Sequence, residues 1–361
     1  MRARLNHLVP EPRPQLPIEI SHLTLAELGW RDFFGRQVSA EEDRSCVPVR
    51  VASVHRGMVS VLGVELDASV SSVLPVSVGP KDRPTVGDWL LIERESLKPV
   101  RLLERRSLFK RPAPGDDKRI QLIAANVDTL FVVTSCNEEF NVARIERYLV
   151  LAHEVGVRPV VVMTKADLAE SSQTYVQAAR ALQSELDVEL INGRDRKSVA
   201  RLAEYCWLGE TVALVGSSGV GKSTIINSLT GSETIETQAV RASDGKGLHT
   251  TTVRQMHRLG AGVEGRGWLI DTPGMRELQM SEVAGGVAEV FDDIVNVTLA
   301  CRFTNCTHAQ EPGCAVRIAI RRGELELPRY ERWRKLAAED SANTELASVR
   351  RARPAKGGRR K

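Results

Sequence analysis

The stretch TVALVGSSGVGKST, residues 211–224, decides the fold. Thr211 to Val215 form a continuous apolar run of the kind buried on both faces in a parallel sheet. Gly216-Ser217-Ser218-Gly219-Val220-Gly221-Lys222-Ser223 then turns the chain, and Thr224-Ile225-Ile226-Asn227-Ser228-Leu229 continues with helical composition. Strand, glycine-rich loop and helix in that order make a phosphate loop. The glycines let backbone N–H groups converge on phosphate oxygens, helped by the helix N-terminus. On this reading residues Gly216 to Thr224 contact a nucleotide, Lys222 bridges its β- and γ-phosphates, and Ser223 ligates Mg²⁺.

Working outward, GWLIDT (residues 267–272) is another apolar strand, ending in the motif Asp271-Thr272-Pro273-Gly274. There Asp271 suits the Mg²⁺ side and the Gly274 N–H the γ-phosphate. Between the two motifs lies His249-Thr250-Thr251-Thr252, where a switch threonine belongs. Thr251, then Thr250, is expected to complete the Mg²⁺ shell. Met275 stands where Ras-like domains place a water-orienting Gln, and a thioether cannot do that work. His249 is the nearest candidate for the catalytic, water-positioning role; an exposed loop histidine is the alternative. Slow intrinsic turnover follows.

Upstream, PVVVMT (159–164) leads into Thr164-Lys165-Ala166-Asp167, a variant of the guanine-reading Asn-Lys-x-Asp. Asp167 would accept two hydrogen bonds from the guanine edge, a pattern adenine cannot supply. The Lys165 stem would pack on the base. Thr164 in place of Asn removes an amide that ties this loop to the phosphate loop, so weaker guanine affinity is expected. This tetrad precedes the phosphate loop, the reverse of the Ras-like order, so the domain is circularly permuted. TLFVVTS (129–135) supplies one more buried strand and VARIERYLVLAHEVG (142–156) a helix. The pattern is doubly wound α/β, with its ligand at the strand ends.

Cys301-x4-Cys306-x-His308-x5-Cys314 offers three thiolates and an imidazole. Such a set suits one tetrahedral, structural Zn²⁺ per chain. Cys46, Cys136 and Cys206 read as ordinary buried thiols.

Between Val47 and Leu108, the runs VPVRVASV, MVSVLGVEL, SVSSVLPVSV and DWLLIE are short strands punctuated by glycine. They favour a small barrel, with the oligonucleotide-binding (OB) type a good candidate. RSLFKRPAPGDDKR (106–119) reads as a linker. Residues 1–44, which open Pro-rich, read as a mobile arm with one short helix. The last twelve residues hold seven Lys or Arg and no acid, a flexible basic tail suited to phosphate backbone. At 361 residues and 42% hydrophobic content, the chain has room for two or three domains of about 150 residues. The expected division is arm 1–44, RNA-binding OB domain 45–110, permuted nucleotide domain 120–285, small α zinc-knuckle domain 286–340 and tail 341–361. No run reaches the roughly 18 apolar residues of a membrane span, and the first twenty residues lack a signal core. With thiols grouped for metal rather than disulfides, a cytoplasmic protein without membrane contact is expected.

Taken together, these residues resemble the circularly permuted ribosome-small-subunit-dependent GTPase A family. Val86-Gly87-Asp88-Trp89, Gln121-x-Ile123-Ala124-Ala125-Asn126-Val127-Asp128, Arg147-Tyr148-Leu149, GSSGVGKST, HTTT, DTPGMRE and the Cys/His set carry the likeness over residues 45–335. It implies GTP hydrolysis stimulated by the 30S ribosomal subunit late in its maturation, contact with 16S rRNA and action as a monomer. Two departures stand out: Thr164 for Asn, and Ile191-Asn192-Gly193 where a Ser-Ala guanine loop is expected. A nucleotide-gated RNA scaffold and an unrelated P-loop ATPase with an OB domain are the other readings. The permutation also sends the chain from Gly274 directly toward the zinc cluster. γ-Phosphate contact there is therefore expected to bias the zinc domain's pose against the barrel.

Overall fold

The computed structural model describes residues 23–75, 79, 82–113, 116–231, 254–260, 267–271 and 283–352; for 112, 113, 116–119 and 346–352 the backbone alone is described. His249, Thr250, Thr251, Gly274 and most of the expected arm's proline-rich start lie outside these residues.

From Leu23 onward the expected arm is part of the core. Leu23, Leu28 and Phe34 are buried, and Trp30 packs edge-on against Trp89 with ring centroids 4.8 Å apart. Two short helices follow, α1 (Asp32–Gly35) and α2 (Ala40–Ser45), the second opened by a reciprocal capping box between Ser39 and Glu42. Such aromatic payloads bury too much apolar area to stay in water; the prolines upstream of them suggested an arm that extends too far.

Five antiparallel strands come next: β1 (Cys46–Val54), β2 (Met58–Gly63), β3 (Leu66–Ser71), β4 (Trp89–Glu93) and β5 (Pro99–Leu102). MVSVLGVEL is two strands rather than one, because Glu65 takes a left-handed conformation (φ 54°) and turns the chain. The order is β3-β2-β1-β4-β5, enclosing Val49, Val51, Val59, Val61, Val70, Leu74, Leu90 and Ile92. A bulge between Val51 and Ser53 bends β1, as barrel-like curvature needs. Among the described residues no ladder joins β3 to β5.

The expected linker is a hairpin. β6 (Leu108–Ala113) and β7 (Asp116–Ala125) pair antiparallel from Leu108↔Ala125 to Ala113↔Asp116. Pro112, one of the residues that suggested a linker, lies within β6 opposite Ile120; Pro114 and Gly115 fall outside the described residues.

The second half of the sheet is parallel: β8 (Thr129–Ser135), β9 (Arg158–Thr164), β10 (Asp187–Leu190), β11 (Thr211–Val215) and, after antiparallel β12 (Arg254–Arg258), β13 (Trp268–Asp271). Their order, β10-β9-β8-β11-β13-β12, places the crossover helices on both faces. Along each strand alternate residues face opposite cores. Leu130, Val132, Val161, Met163, Ala213 and Val215 join one, beneath the helix α3 (Val142–Glu154). Phe131, Val133, Val160, Val162, Val212 and Leu214 join the other. There they pack with the helices α5 (Arg196–Ala200) and α6 (Lys222–Thr230), while α4 (Ser172–Arg180) contributes Val176 and Ala179 to the first core.

The barrel strands and the parallel strands belong to one sheet. β1 pairs with β12 at Ser53↔Gln255 and Val54↔Arg254, and Gln255 in turn opposes Asp271. Around this seam Arg50, buried on both sides, donates to the Leu28 carbonyl and to Thr211 Oγ1, each at 2.6 Å. Burial lowers its pKa to about 10, so it stays cationic at neutral pH. The Trp268 indole donates to the Glu27 carbonyl at 2.7 Å, and Arg258 pairs with the Glu27 carboxylate. At Gly87 (φ +88°) a Cβ would stand 2.1 Å from the Ala125 carbonyl oxygen, so only glycine lets the barrel loop approach β7.

Four helices close the described chain: α7 (Ala284–Val290), α8 (Asp292–Thr298), α9 (Ala315–Arg322) and α10 (Leu327–Ala352). The expected flexible tail from 341 is helical as far as Ala352. Good helix formers such as Ala, Glu, Leu and Arg fill this stretch, and only the proline after Arg353 ends the pattern. α10 lies along α3, where Glu146, without solvent exposure, pairs with Arg329 and Arg332. Within the described residues no helix is long and apolar enough to cross a membrane.

Candidate functional site

The C-terminal ends of the parallel strands meet along one edge. Ser135 opposes Thr164, Met163 opposes Leu190, and Val132 opposes Val215. The two expected guanine and phosphate motifs, some fifty residues apart in sequence, therefore leave β9 and β11 at the same edge, with only β8 between them.

Gly216, with φ +143°, would bring a Cβ within 2.2 Å of the Val133 carbonyl oxygen, so the loop hugs the strand edge too closely for a side chain. Val220 is buried, anchoring the far side of the loop, while Ser218 and Gly219 are exposed. Gly221 precedes α6 in the left-handed region, and Lys222 opens the helix. The Lys222 ammonium donates to the loop's own carbonyls, Gly216 at 2.9 Å and Ser217 at 2.5 Å. Ser223 and Thr224 follow half-buried in the first turn of α6.

Thr164 is buried at the end of β9 and does what the sequence was expected to forgo. Its hydroxyl lies 2.6 Å from the Val220 carbonyl oxygen and 3.2 Å from that of Thr134. One hydroxyl proton serves the shorter contact best, so guanine loop and phosphate loop are tied without an Asn amide. Lys165 then takes a left-handed conformation (φ 57°), which lifts Ala166 and Asp167 into a 3₁₀ turn with Asp167 exposed at the edge. Ile191-Asn192-Gly193 also reaches this edge: the Ile191 N–H extends the ladder onto Met163, and a Cβ on Gly193 would meet the Thr224 methyl at 3.6 Å. The position of this loop follows from the end of β10, a strand whose mixed burial hid it from a reading of apolar runs.

Asp271 ends β13 half-buried. Burial raises its carboxyl above the usual range, while the nearby His257 imidazole and Lys222 ammonium pull it down. Its charge is thus poised where a cation would stabilise it. A further residue, Arg144 in the first turn of α3, hydrogen-bonds Ser217 Oγ of the phosphate loop. Its only sequence signal was a place one turn before Arg147.

The Cys/His set closes into one cluster. Donor atoms of Cys301, Cys306, His308 and Cys314 all lie within 4.8 Å of one another. His308 Nδ1 is 3.5 Å from Cys301 Sγ and 3.6 Å from Cys314 Sγ. Tetrahedral bonds of zinc to sulfur and nitrogen give an S···N edge of about 3.6 Å, so the set fits and could hold one zinc. His308 reaches it from a left-handed backbone (φ 60°), and its ring packs near Trp333 of α10.

A family model described as RsgA GTPase matches residues 102–281. The small ribosomal subunit biogenesis GTPase RsgA of Mesorhizobium japonicum is 45% identical over 95% of this chain and 98% of its own length. A protein of the same description from Methanosarcina acetivorans is 40% identical, over 83% of this chain and 81% of its own. Among solved structures, YjeQ from Thermotoga maritima aligns with a TM-score of 0.59 at 25% identity, covering 81% of this chain and 98% of its own. YloQ, described as a circularly permuted GTPase, aligns at 0.57 and 22% identity, over 86% and 97%.

Proposed function

This chain belongs to the RsgA GTPase family and hydrolyses GTP, and from that premise we propose that it acts on the 30S ribosomal subunit late in maturation. The subunit stimulates hydrolysis, and hydrolysis releases the protein. The observation that carries this reading is the near full-length likeness to relatives named for small ribosomal subunit biogenesis.

Asp167 reads the guanine edge, with Lys165 and Ala166 lining the base and Thr164 holding their loop in register. Residues Gly216 to Thr224 cradle the phosphates. On binding, Lys222 exchanges its bonds to the Gly216 and Ser217 carbonyls for phosphate oxygens, so the ammonium stays satisfied throughout. Ser223, Thr251 (or Thr250 in its place) and Asp271 would hold Mg²⁺, which when bound would supply neutralisation of charge on the β- and γ-oxygens. The Gly274 N–H meets the γ-phosphate. His249 orients the attacking water, a role Met275 cannot take.

The five strands β1 to β5 form an OB-type barrel that, with the basic end of the chain, contacts 16S rRNA; the bulged, five-stranded order around β1 supports it. Cys301, Cys306, His308 and Cys314 hold one structural zinc, with no position left open for chemistry. The protein works as a monomer in the cytoplasm. The units are those of the expected division, except that Leu23, Leu28 and Phe34 join the core, β6 and β7 form a hairpin rather than a linker and α10 continues past residue 341. Phosphate contact at Gly274 biases the zinc domain against the barrel.

GTP turnover measured with and without purified 30S subunits tests the central reading. Stimulation well beyond a few-fold is expected; its absence would remove the subunit as the activating partner. Asp167→Asn should shift preference toward xanthosine nucleotides, and His249→Ala should lower the stimulated rate.

A further inference from the structure

Beside the phosphate loop, residues of α3 and α10 line a cleft of about 550 Å³ whose lining contains Arg144, Arg147, Arg332 and Lys335 but no acidic residue. Two of these cations stand one helical turn apart on α3 and two stand one turn apart on α10, a spacing that puts each pair on a common face. The lining therefore carries two rows of positive charge, one from each helix, together with Ser217 and Ser218 of the phosphate loop.

Carboxylates outside the lining hold the guanidinium groups: Glu139 for Arg144, Glu339 for Arg147 and Glu146 for Arg332. They cancel much of the long-range field but leave donors. Arg332 binds Glu146 through Nε, and Arg144 binds Glu139 and Ser217 through one amino group. Among the described residues the other nitrogens of both, and the exposed Lys335 ammonium, have no protein partner. Pinned forks with outward N–H groups recognise phosphate oxygens at short range.

We propose that this cleft binds the sugar–phosphate backbone of an RNA strand of the small ribosomal subunit, which rests on the partner assigned above. The shape favours a strand over a single anion. The rows extend from the phosphate loop onto a second unit of the protein, and α10 continues past them toward Arg350, Arg351 and the basic residues that follow. Arg144 then touches both the incoming strand and Ser217, placing the contact against the nucleotide loop.

The test is co-sedimentation of full-length protein with 30S subunits, in a non-hydrolysable GTP analogue, across a series of salt concentrations. Lys335 is exposed and unpaired, so Lys335→Glu should fold as the parent does. It should bind several-fold more weakly at low salt and, by Lys335→Gln, the log–log salt slope should fall by about 1. Lys335→Arg should restore both. If the parent binds subunits and Lys335→Glu binds them with equal affinity and slope, the cleft assignment is overturned while the partner stands. If the variant changes KM for GTP and leaves subunit binding untouched, the cleft serves the nucleotide's own phosphates and the assignment also falls. Failure of the parent to bind subunits would overturn partner and cleft together.

Discussion

The hydroxyl of Thr164 meets the Val220 carbonyl oxygen at 2.6 Å, joining the end of the guanine loop to the phosphate loop. A neutral hydrogen bond in a buried place contributes about 1 kcal/mol net. Thr164→Val keeps the shape and deletes the bond. It should weaken binding of a fluorescent GTP analogue roughly fivefold, and Thr164→Ser should bind as the parent does. Equal affinity for the valine variant would show that the two loops hold together without this bond.

Removal of metal should act on the C-terminal unit first. Cys306→Ser takes one of four donors from a cluster on which the entry to α9 depends, since Cys314 directly precedes Ala315. The parent is expected to carry one zinc per chain by metal analysis and the variant little. Trp333, whose ring lies 5.8 Å from that of His308, should report the loss through its fluorescence when a chelator is added to the parent. A parent free of zinc and insensitive to chelator would contradict the assignment.

Acid should loosen the docking of α2 on the barrel. The Arg101 guanidinium bonds both oxygens of Glu42, and with the Ser39 N–H this holds the carboxyl down at about 2. A carboxyl lowered on folding stabilises the fold fully above its unfolded value, near 4.5. That stabilisation is lost as pH falls from there toward the folded value. Glu42→Gln should therefore lower the urea midpoint at pH 6, and the gap from the parent should narrow steadily below pH 4.5. A gap that stays constant with pH would mean the ion pair contributes nothing.

The segment from Leu23 is structural, and Leu28 tests this directly. Its side chain is fully buried and its carbonyl accepts from Arg50. Leu28→Ala should cost about 2–5 kcal/mol of stability, seen as a lower denaturation midpoint. If residues 23–45 were a loose arm, the change would be within error.

What was legible in the sequence shares one property: it is written locally. β8 and β9 were found within a residue, because a run of apolar side chains flanked by turn residues states its own burial. The Cys/His set, written within fourteen positions, is gathered by the structure into one cluster; the glycine-rich loop and the Thr164 to Asp167 tetrad are equally local in the sequence. The hairpin of β6 and β7 was misread because proline and glycine mark a turn and a linker alike, and only a partner strand separates the two.

The sequence by itself determined a permuted GTPase domain and a Cys/His set that could hold one zinc. Tertiary structure alone decided how the units join: Ser53 and Val54 of the barrel pairing with Gln255 and Arg254, Leu23 to Phe34 folded into the seam, and Thr164 reaching Val220. The physical reason is that hydrophobic period and motif spacing reside in side chains, which differ from position to position. Strand pairing and carbonyl capture use backbone groups that nearly every residue carries, so partners two hundred residues apart leave no mark in the sequence.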